Sequence, residues 1–269
     1  MKSSSTRRRG VARGLSALAL VASLLVPARG ARCDELLVAA AADLTYAFAE
    51  VSTAFEKRTG HRLRPAFGSS GNFFAQIRNG APFDLFFSAD SDYPRRLEAE
   101  GLAEPGSFCR YATGQIVLWV PTESSLDIER LGLKALLDPS VVKVAIANPQ
   151  HAPYGRAAVA ALRAAGWYEK VEPKLVLGEN VSQAAQFVAS GNASAGIIAL
   201  SLALSPAMRT RGRYWQIPAE AYPPLDQAAV ILKASAHKAA ARALLEYLRS
   251  AEGRALLERH GFEAPKGQP

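Results

Sequence analysis

The sequence predicts an α/β protein with two lobes, each a mainly parallel sheet flanked by helices, and a ligand cleft between them. Short apolar runs alternate with amphipathic stretches, which is typical of parallel sheets covered on both faces. One unit of loop, short helix, glycine and apolar strand occurs twice, from Ser70 through Gly80 and from Val181 through Gly191. Such units recur in α/β proteins generally, but two similar halves suit a ligand held between lobes.

The first thirty residues predict a cleaved export signal. The stretch MKSSSTRRRGVARG is cationic, and the apolar run from Leu15 to Pro27 is too short for a comfortable membrane span. Small residues at Ala28, Gly30 and Ala31 offer a cleavage site. We therefore expect residues 1–30 to be removed and the mature protein to be periplasmic; a retained anchor is disfavoured by the length of the run.

Without this segment the charge of the chain is nearly balanced. The full sequence has 32 basic and 24 acidic residues, a net charge of +8. Six of the basic residues lie in the predicted signal: Lys2, Arg7, Arg8, Arg9, Arg13 and Arg29. Subtracting these six from 32 leaves 26 basic against 24 acidic residues, or +2. Most of the excess of basic over acidic residues therefore lies in the predicted signal, and it does not indicate a nucleic-acid partner.

Two cysteines, Cys33 and Cys109, allow at most one disulfide, so the chain is not a disulfide scaffold. Their pairing stays an open possibility in an oxidising compartment, provided that the signal is cut before Cys33. Arg32 before Cys33 argues against a lipoprotein-type cysteine.

Each predicted element follows from its apolar pattern. Eight apolar runs predict strands, at residues 36–41, 63–67, 84–89, 116–120, 143–147, 174–177, 195–200 and 228–232. The first long helix places Leu44, Phe48, Val51 and Phe55 on one face and ends at Gly60. Further helices are predicted from Asn72 to Gly80 and at residues 91–101, 155–166, 181–191 and 238–261.

Common enzyme motifs are missing from the sequence. It contains no HExxH, no GxxxxGK[ST], no GxGxxG and no CxxC. The stretch FGSSGN (67–72) is not a nucleophile elbow, because Asn72 stands where the second glycine belongs. An enzyme is therefore not expected; a serine hydrolase acting through Ser70 is the least favoured alternative.

Four corners that lead into helices offer a site for an oxyanion. They contain Asp43 (AAADLT), Ser69 and Ser70 (FGSSGN), Tyr154 (NPQHAPYG) and Val181 (GENVSQ). A helix N-terminus exposes unpaired N–H groups and the positive end of the helix dipole, and hydroxyls add further donors. These five residues are the candidate ligand residues, although glycine and serine are also ordinary turn residues.

The sequence resembles the periplasmic molybdate-binding proteins of ABC transporters over essentially the whole mature chain. The likeness lies in VAAAADLT, FGSSGNFFAQIRNGAPFDLFFSAD, IANPQHAPYGRAA, ENVSQAAQFV, GIIALS and ERHGFEAP, in the order of the family. The resemblance implies the two-lobed periplasmic binding protein fold. It places one lobe at residues 34–115 plus 226–269 and the other at 116–225, with crossings near Leu118 and Leu225.

The same resemblance implies a function. The protein is expected to capture molybdate, or tungstate of nearly equal size, and to deliver it to the membrane subunits of an ABC transporter. It would do so as a monomer, without a cofactor, with no direct protein ligand to the metal atom and without a reaction.

Family roles carry over to individual positions. The serine of the second corner matches Ser70, with Ser69 beside it, and two backbone-amide positions match Tyr154 and Val181. Many members have a tyrosine that touches the anion where this chain has Ala199, so the phenol of Tyr154 is a candidate substitute.

Asp43 departs from the family, which usually has serine at the first corner. We expect its carboxylate to cap the following helix, because aspartate is among the best caps and a carboxylate facing a dianion is costly. In the alternative, Asp43 faces the cleft and accepts a hydrogen bond from a protonated oxyanion such as phosphate. Molybdate and sulfate carry no such proton at neutral pH.

Overall fold

A computed structural model describes residues 33–265 of the chain. The predicted export signal, residues 1–30, lies outside the described residues. Between residues 33 and 265, no helix is long and apolar enough to cross a membrane. The described residues form two five-stranded sheets flanked by helices, so the predicted two-lobed α/β class is confirmed.

The order of elements follows the predicted alternation. The strands in the described residues are β1 (Glu35–Ala41), β2 (Arg62–Gly68), β3 (Leu85–Ser88), β4 (Cys109–Gly114), β5 (Ile116–Pro121), β6 (Val144–Ala147), β7 (Leu175–Gly178), β8 (Ala195–Ala199), β9 (Gly212–Gln216) and β10 (Leu225–Ile231). The α-helices of the same part are α1 (Thr45–Thr59), α2 (Ser70–Arg78), α3 (Asp92–Ala99), α4 (Ile128–Leu131), α5 (Pro153–Ala164), α6 (Tyr168–Val171), α7 (Val181–Ala189), α8 (Leu200–Ala203), α9 (Lys238–Arg249) and α10 (Ala251–Arg259).

The two sheets have the same design. The sheet of the first lobe has the order β2-β1-β3-β10-β4, and the sheet of the second lobe has the order β7-β6-β8-β5-β9. In the first sheet β1 pairs in parallel with β2 and β3, and β10 runs antiparallel to both β3 and β4. In the second sheet β5 is the reversed strand. Four of the five strands in each sheet therefore point the same way, as the sequence predicts.

The repeated unit occupies equivalent places in the two lobes. β3 and β8 are the middle strands of their sheets, and each follows a short helix, α2 or α7. The glycines that end these helices, Gly80 and Gly191, have φ of 86° and 78°, a region that favours glycine.

The chain crosses between the sheets twice. It leaves β4 at Gly114, enters β5 at Ile116, and returns between Gln216 and Leu225. The residue limits of the lobes stay a prediction.

The apolar face predicted for the first long helix packs into the core of the first lobe. Leu44, Phe48, Val51 and Phe55 are all fully buried. Burial of each such side chain stabilises the fold by about 1.5–3 kcal/mol. α1 thus fixes the position of the corner that precedes it, which carries Asp43.

Two expectations need correction, and one open question is answered. The stretch predicted as one helix at 238–261 is two helices, because Ser250 is extended and its Oγ accepts a hydrogen bond from the N–H of Gly253 at 3.2 Å. β4 and β9 have no counterpart in the prediction, since these edge strands mix polar and apolar residues. The disulfide left open by the sequence is not formed: Cys33 is exposed, Cys109 is buried, and both are free.

Candidate functional site

The four predicted corners meet at one small cavity between the two lobes. Its volume is about 10 Å³, room for about one water molecule. All five candidate residues line it, and the full set of twelve is Ala41, Ala42, Asp43, Gly68, Ser69, Ser70, Ala89, Ala152, Pro153, Tyr154, Asn180 and Val181. The structure therefore brings together every residue that the sequence singled out.

At the second corner, two adjacent serines have different tasks. Ser69 is extended and caps α2, with its Oγ accepting a hydrogen bond from the N–H of Asn72 at 3.4 Å. Ser70 is fully buried, and its Oγ accepts from the N–H of Ala89 at 3.0 Å. A hydroxyl has one proton to donate and two lone pairs, so Ser70 can still donate towards the cavity.

The third and fourth corners present backbone amides from the second lobe. α5 begins with Pro153, which has no N–H, so Tyr154 carries the first amide of this helix. α7 begins at Val181 after Asn180, whose side chain accepts from the N–H of Gln183 at 3.1 Å. First-turn amides have no partner inside their own helix, so those of Tyr154 and Val181 are available to a ligand.

Asp43 lies in a short 3-10 helix, Ala42–Leu44, between β1 and α1, and it is buried. Its Oδ2 accepts hydrogen bonds from the hydroxyl of Tyr154 at 2.9 Å and from Nε2 of Gln227 at 2.6 Å. Its Oδ1 is buried and has no hydrogen-bond partner among residues 33–265. Burial raises the pKa of this carboxyl to about 6, against the opposing effect of hydrogen bonds from Gln227, from Tyr154 and from the backbone of Asp43 itself.

The predicted cap is therefore wrong. Neither the 3-10 helix nor α1 has a side-chain cap, and the carboxyl group of Asp43 lines the cavity instead. The reason is competition: two strong donors, the phenol of Tyr154 and the amide of Gln227, hold Oδ2 away from the amides of α1.

Gln227 is a member of the site that the sequence analysis missed. It is fully buried in β10, and its Oε1 accepts from the hydroxyl of Tyr111 at 2.7 Å while its Nε2 reaches Asp43 and Tyr154. A lone amide side chain beside the apolar run AAVIL was the available signal. Burial and the nearby carboxyl of Asp43 hold the pKa of both Tyr111 and Tyr154 well above the usual value of 10.

The network also corrects the expectation for Tyr154. Its phenol donates to Asp43 and accepts from Gln227, so its proton is directed to the carboxyl group and not to the cavity. The first crossing is packed tightly against this phenol: a Cβ at Gly114 would lie 2.2 Å from the hydroxyl of Tyr154.

The two lobes are closed over the cavity by a set of contacts that we call the interlobe latch: Ser69, Gly71 and Asn72 on the first lobe, and His151 and Glu179 on the second. The N–H of Gly71 donates to the carbonyl of His151 at 2.9 Å, and Nδ1 of His151 lies 2.9 Å from Oγ of Ser69. The side-chain amide of Asn72 donates to the carboxylate of Glu179.

Further contacts across the cleft support the closed arrangement. Arg156 pairs with Asp90 at 2.6 Å. Ser182 and Ser201 of the second lobe donate to the carbonyls of Ala42 and Asp43 at 2.9 and 2.8 Å. The structure is thus that of a closed form, in which the two lobes touch each other beside the cavity.

The electrostatics of the cavity suit an anion without a cationic side chain. No lysine, arginine or histidine is among the described residues that line it. The positive potential comes instead from the N-termini of α2, α5 and α7, which all point into the same space.

Comparison with known proteins agrees with this geometry. The model of the bacterial extracellular solute-binding protein family matches residues 36–263. The molybdate-binding protein ModA of Rhodobacter capsulatus is 41% identical over 249 residues, which cover 93% of this chain and 95% of that protein. ModA of Azotobacter vinelandii is 40% identical over 246 residues, covering 91% and 95%.

A solved structure extends the comparison to the fold. The periplasmic molybdate-binding protein of Azotobacter vinelandii superposes with a TM-score of 0.81 at 36% identity, covering 86% of this chain and 100% of that one. The resemblance and the binding-protein fold predicted from the sequence are confirmed, and so is the expectation of a binding protein in place of an enzyme. The chain belongs to the bacterial extracellular solute-binding protein family.

Proposed function

We propose that the protein captures molybdate, or tungstate, in the periplasm and delivers it to the membrane subunits of an ABC importer. The observation that carries the proposal is the convergence of three helix N-termini and the hydroxyl of Ser70 on one closed cavity. Relatives at 41% and 40% identity bear the name molybdate-binding protein, which supports the same ligand.

The donors fit a tetrahedral dianion. In the proposed complex the hydroxyl of Ser70 and the amides of Tyr154 and Val181 donate to the oxygens of the ligand, with Ser69 and Asp43 beside them. The protein contacts only oxygens, so no side chain ligates the metal atom and no cofactor takes part. Charge-assisted hydrogen bonds and helix dipoles compensate the two negative charges. We propose that the protein acts as a monomer and binds no nucleic acid.

Capture depends on closure because the donors are divided between the lobes. Ser70 belongs to the first lobe, whereas Tyr154 and Val181 belong to the second. A ligand that binds the closed form more tightly than the open form shifts the protein towards closure.

Calorimetric titration of the protein with molybdate, tungstate, sulfate and phosphate tests the proposal. We expect binding of molybdate and tungstate and weaker binding of sulfate, whose oxygens lie closer to the central atom. Absence of heat with molybdate, together with clear binding of phosphate, would contradict it.

One observation favours a second candidate, a receptor for a protonated oxyanion such as phosphate. Asp43 lines the cavity, and its Oδ1 is a buried acceptor without a partner in the described residues, so it could accept the proton of such a ligand. The titration with phosphate decides this point. The hydrolase alternative has lost its support, because Oγ of Ser70 bonds the backbone of Ala89 and His151 contacts Ser69 instead.

A further inference from the structure

We propose that oxyanion binding is coupled to the uptake of one proton by Asp43, whose protonated Oδ1 then donates a hydrogen bond to the ligand. Asp43 would thus select a fully deprotonated dianion and make its affinity depend on pH. The inference rests on the proposed function and deepens it.

The hydrogen-bond pattern around Asp43 calls for a proton on one particular oxygen. Oδ2 accepts from two donors, Tyr154 and Gln227, whereas Oδ1 has no partner within residues 33–265. An ionised Oδ1 would present an acceptor to a ligand that also offers only acceptors. A protonated Oδ1 presents a donor, which completes the set formed by Ser70, Tyr154 and Val181.

A second buried carboxyl, that of Asp84, has hydrogen-bond partners on both of its oxygens. Asp84 precedes β3 at the end that lies away from the cavity. Its Oδ1 accepts from Ser235 at 2.6 Å, and its Oδ2 accepts from the N–H of Leu37 at 2.8 Å. Both oxygens of Asp84 are therefore engaged, whereas Oδ1 of the cavity-lining Asp43 has no partner among residues 33–265.

The elements around Asp43 supply no cation to hold it ionised. α7, α8 and β3 have no titratable side chain. The titratable groups that face it are the phenols of Tyr154 and Tyr111, both neutral because their pKa values are raised.

The charged groups on the other neighbouring elements have partners of their own. Arg156 of α5 pairs with Asp90. Arg110 of β4 pairs with Asp226 of β10 at 2.8 Å. α1, β1, β2 and α2 carry their charges at Glu35, Glu50, Glu56, Lys57, Arg58, Arg62, Arg64 and Arg78, all on exposed or half-buried positions. Two titratable groups of the interlobe latch also lie near the cavity: His151, which contacts the cavity-lining Ser69, and Glu179, which precedes the cavity-lining Asn180 and pairs with Asn72 and His151.

A bound dianion adds two negative charges beside this carboxyl. Burial already raises the pKa of Asp43 to about 6. A neighbouring like charge raises the pKa of a carboxyl further, so the proton is held more tightly in the complex than in the protein alone. Binding above about pH 6 must then take up one proton.

The expected signature is a dependence of molybdate affinity on pH. Above about pH 6 the affinity for molybdate should fall tenfold for each unit of pH, and below it the affinity should level off. From about pH 6 to about pH 8 the loss is roughly fifty-fold by the same relation.

The test is calorimetric titration with molybdate between about pH 6 and about pH 9, with two buffers of different ionisation enthalpy at each pH. The buffer dependence of the heat counts the protons taken up, and we expect about one per molybdate at pH 8. Asp43→Asn keeps the shape and places an NH₂ donor where Oδ1 lies. This variant should bind molybdate with no proton uptake and a flat pH profile, and more tightly than the natural protein at about pH 8. The matched control Asp84→Asn removes a buried carboxyl far from the cavity and should keep the natural slope.

Each outcome decides the inference. Molybdate binding with no proton uptake and a flat profile in the natural protein would overturn it while leaving the proposed function intact. A slope that persists in Asp43→Asn would assign the proton to another group, such as His151, and would also overturn it. If neither molybdate nor tungstate binds at any pH, the proposed function and the inference both fail. Should Asp43→Asn not fold, as judged by circular dichroism, the proton count of the natural protein alone decides.

Discussion

The two lobes approach the cavity with different chemistry. The first lobe contributes side-chain groups, the carboxyl of Asp43 and the hydroxyl of Ser70, both buried. The second lobe contributes the helix-start amides of Tyr154 and Val181, whose side chains point into the hydrogen-bond network and the apolar core. A backbone donor survives a change of side chain, whereas a hydroxyl or carboxyl does not. Substitutions in the first lobe should therefore alter ligand binding far more than substitutions in the second.

The largest expected effect is the pH dependence that Asp43 gives to the stability of the ligand-free protein. Its pKa is about 6 in the folded protein against 3.8 for the ordinary value, so the folded state binds the proton more tightly. This stabilisation is complete below about pH 4 and is lost as the pH rises through about 6, at a cost of about 3 kcal/mol at most. Thermal melting at several pH values should show that Asp43→Asn stabilises the protein at pH 7.5 but not at pH 4. An equal shift at both would contradict the assignment.

The second prediction concerns a residue that affects closure of the two lobes without contacting the ligand. In Gly71→Ala the new Cβ would lie 2.6 Å from the carbonyl oxygen of His151, so the interlobe latch could not form as it does here. Alanine is a good helix former, so α2 and the separate lobes should remain folded. We expect a loss of molybdate affinity of about a hundredfold, because the two sets of donors no longer converge.

Small-angle scattering provides the matching readout for this variant. Saturating molybdate should compact the natural protein and leave Gly71→Ala extended. Equal compaction in the two proteins, or an unchanged affinity, would show that closure does not depend on the contact at Gly71.

The third prediction removes one donor of the first lobe. Ser70→Ala should lose a charge-assisted hydrogen bond, worth roughly 1.5–3 kcal/mol or about ten- to a hundredfold in affinity. Binding should persist, since the amides of Tyr154 and Val181 remain. Calorimetry with molybdate measures the effect. The control is Ser52→Ala, a half-buried serine of α1 whose hydroxyl donates to the carbonyl of Phe48 in the same helix, and it should leave the affinity unchanged. Unchanged binding in Ser70→Ala would make FGSSGN an ordinary turn.

The smallest expected effect on binding tests the second lobe. Val181 is buried in its core, so Val181→Ala should lower the free energy of unfolding by about 1–2 kcal/mol. Its amide is unaffected, so the affinity for molybdate should change by less than about threefold. Chemical denaturation and calorimetry on the same preparation separate the two quantities. A loss of affinity as large as that of Ser70→Ala would contradict the contrast between the lobes, in which the first contributes side-chain groups and the second backbone amides.

The fold was largely predictable because its signals are local. Continuous apolar runs marked β1, β3, β5 and β8, and the spacing of Phe48, Val51 and Phe55 marked the buried face of α1. The edge strands β4 and β9 gave no such run, because polar residues interrupt the apolar ones, at Arg110 and Thr113 in β4 and at Arg213 and Gln216 in β9. The break at Ser250 was hidden because both flanking segments are strong helix formers.

The positions of the site residues were predictable from the sequence, but the orientations of their side chains were not. Each corner can be recognised within a few residues of sequence, because a short polar segment precedes a helical pattern. The orientation of Asp43 depends on Tyr154 and Gln227, which lie 111 and 184 residues away in the sequence. Local preference alone favours a cap, and only the folded neighbours reveal the competing donors.

The reversed strand β10 has a consequence for the order in which the molecule can assemble. β10 lies between β3 and β4. Its first residue, Leu225, comes 111 positions after the end of β4 at Gly114. The second sheet is built from one uninterrupted stretch, residues 116–216. A chain that emerges from a membrane channel N-terminus first can therefore finish its second lobe while the first still lacks an inner strand. Gln227 arrives with that strand, so the carboxyl of Asp43 gains this partner only when the C-terminal part of the chain has been delivered.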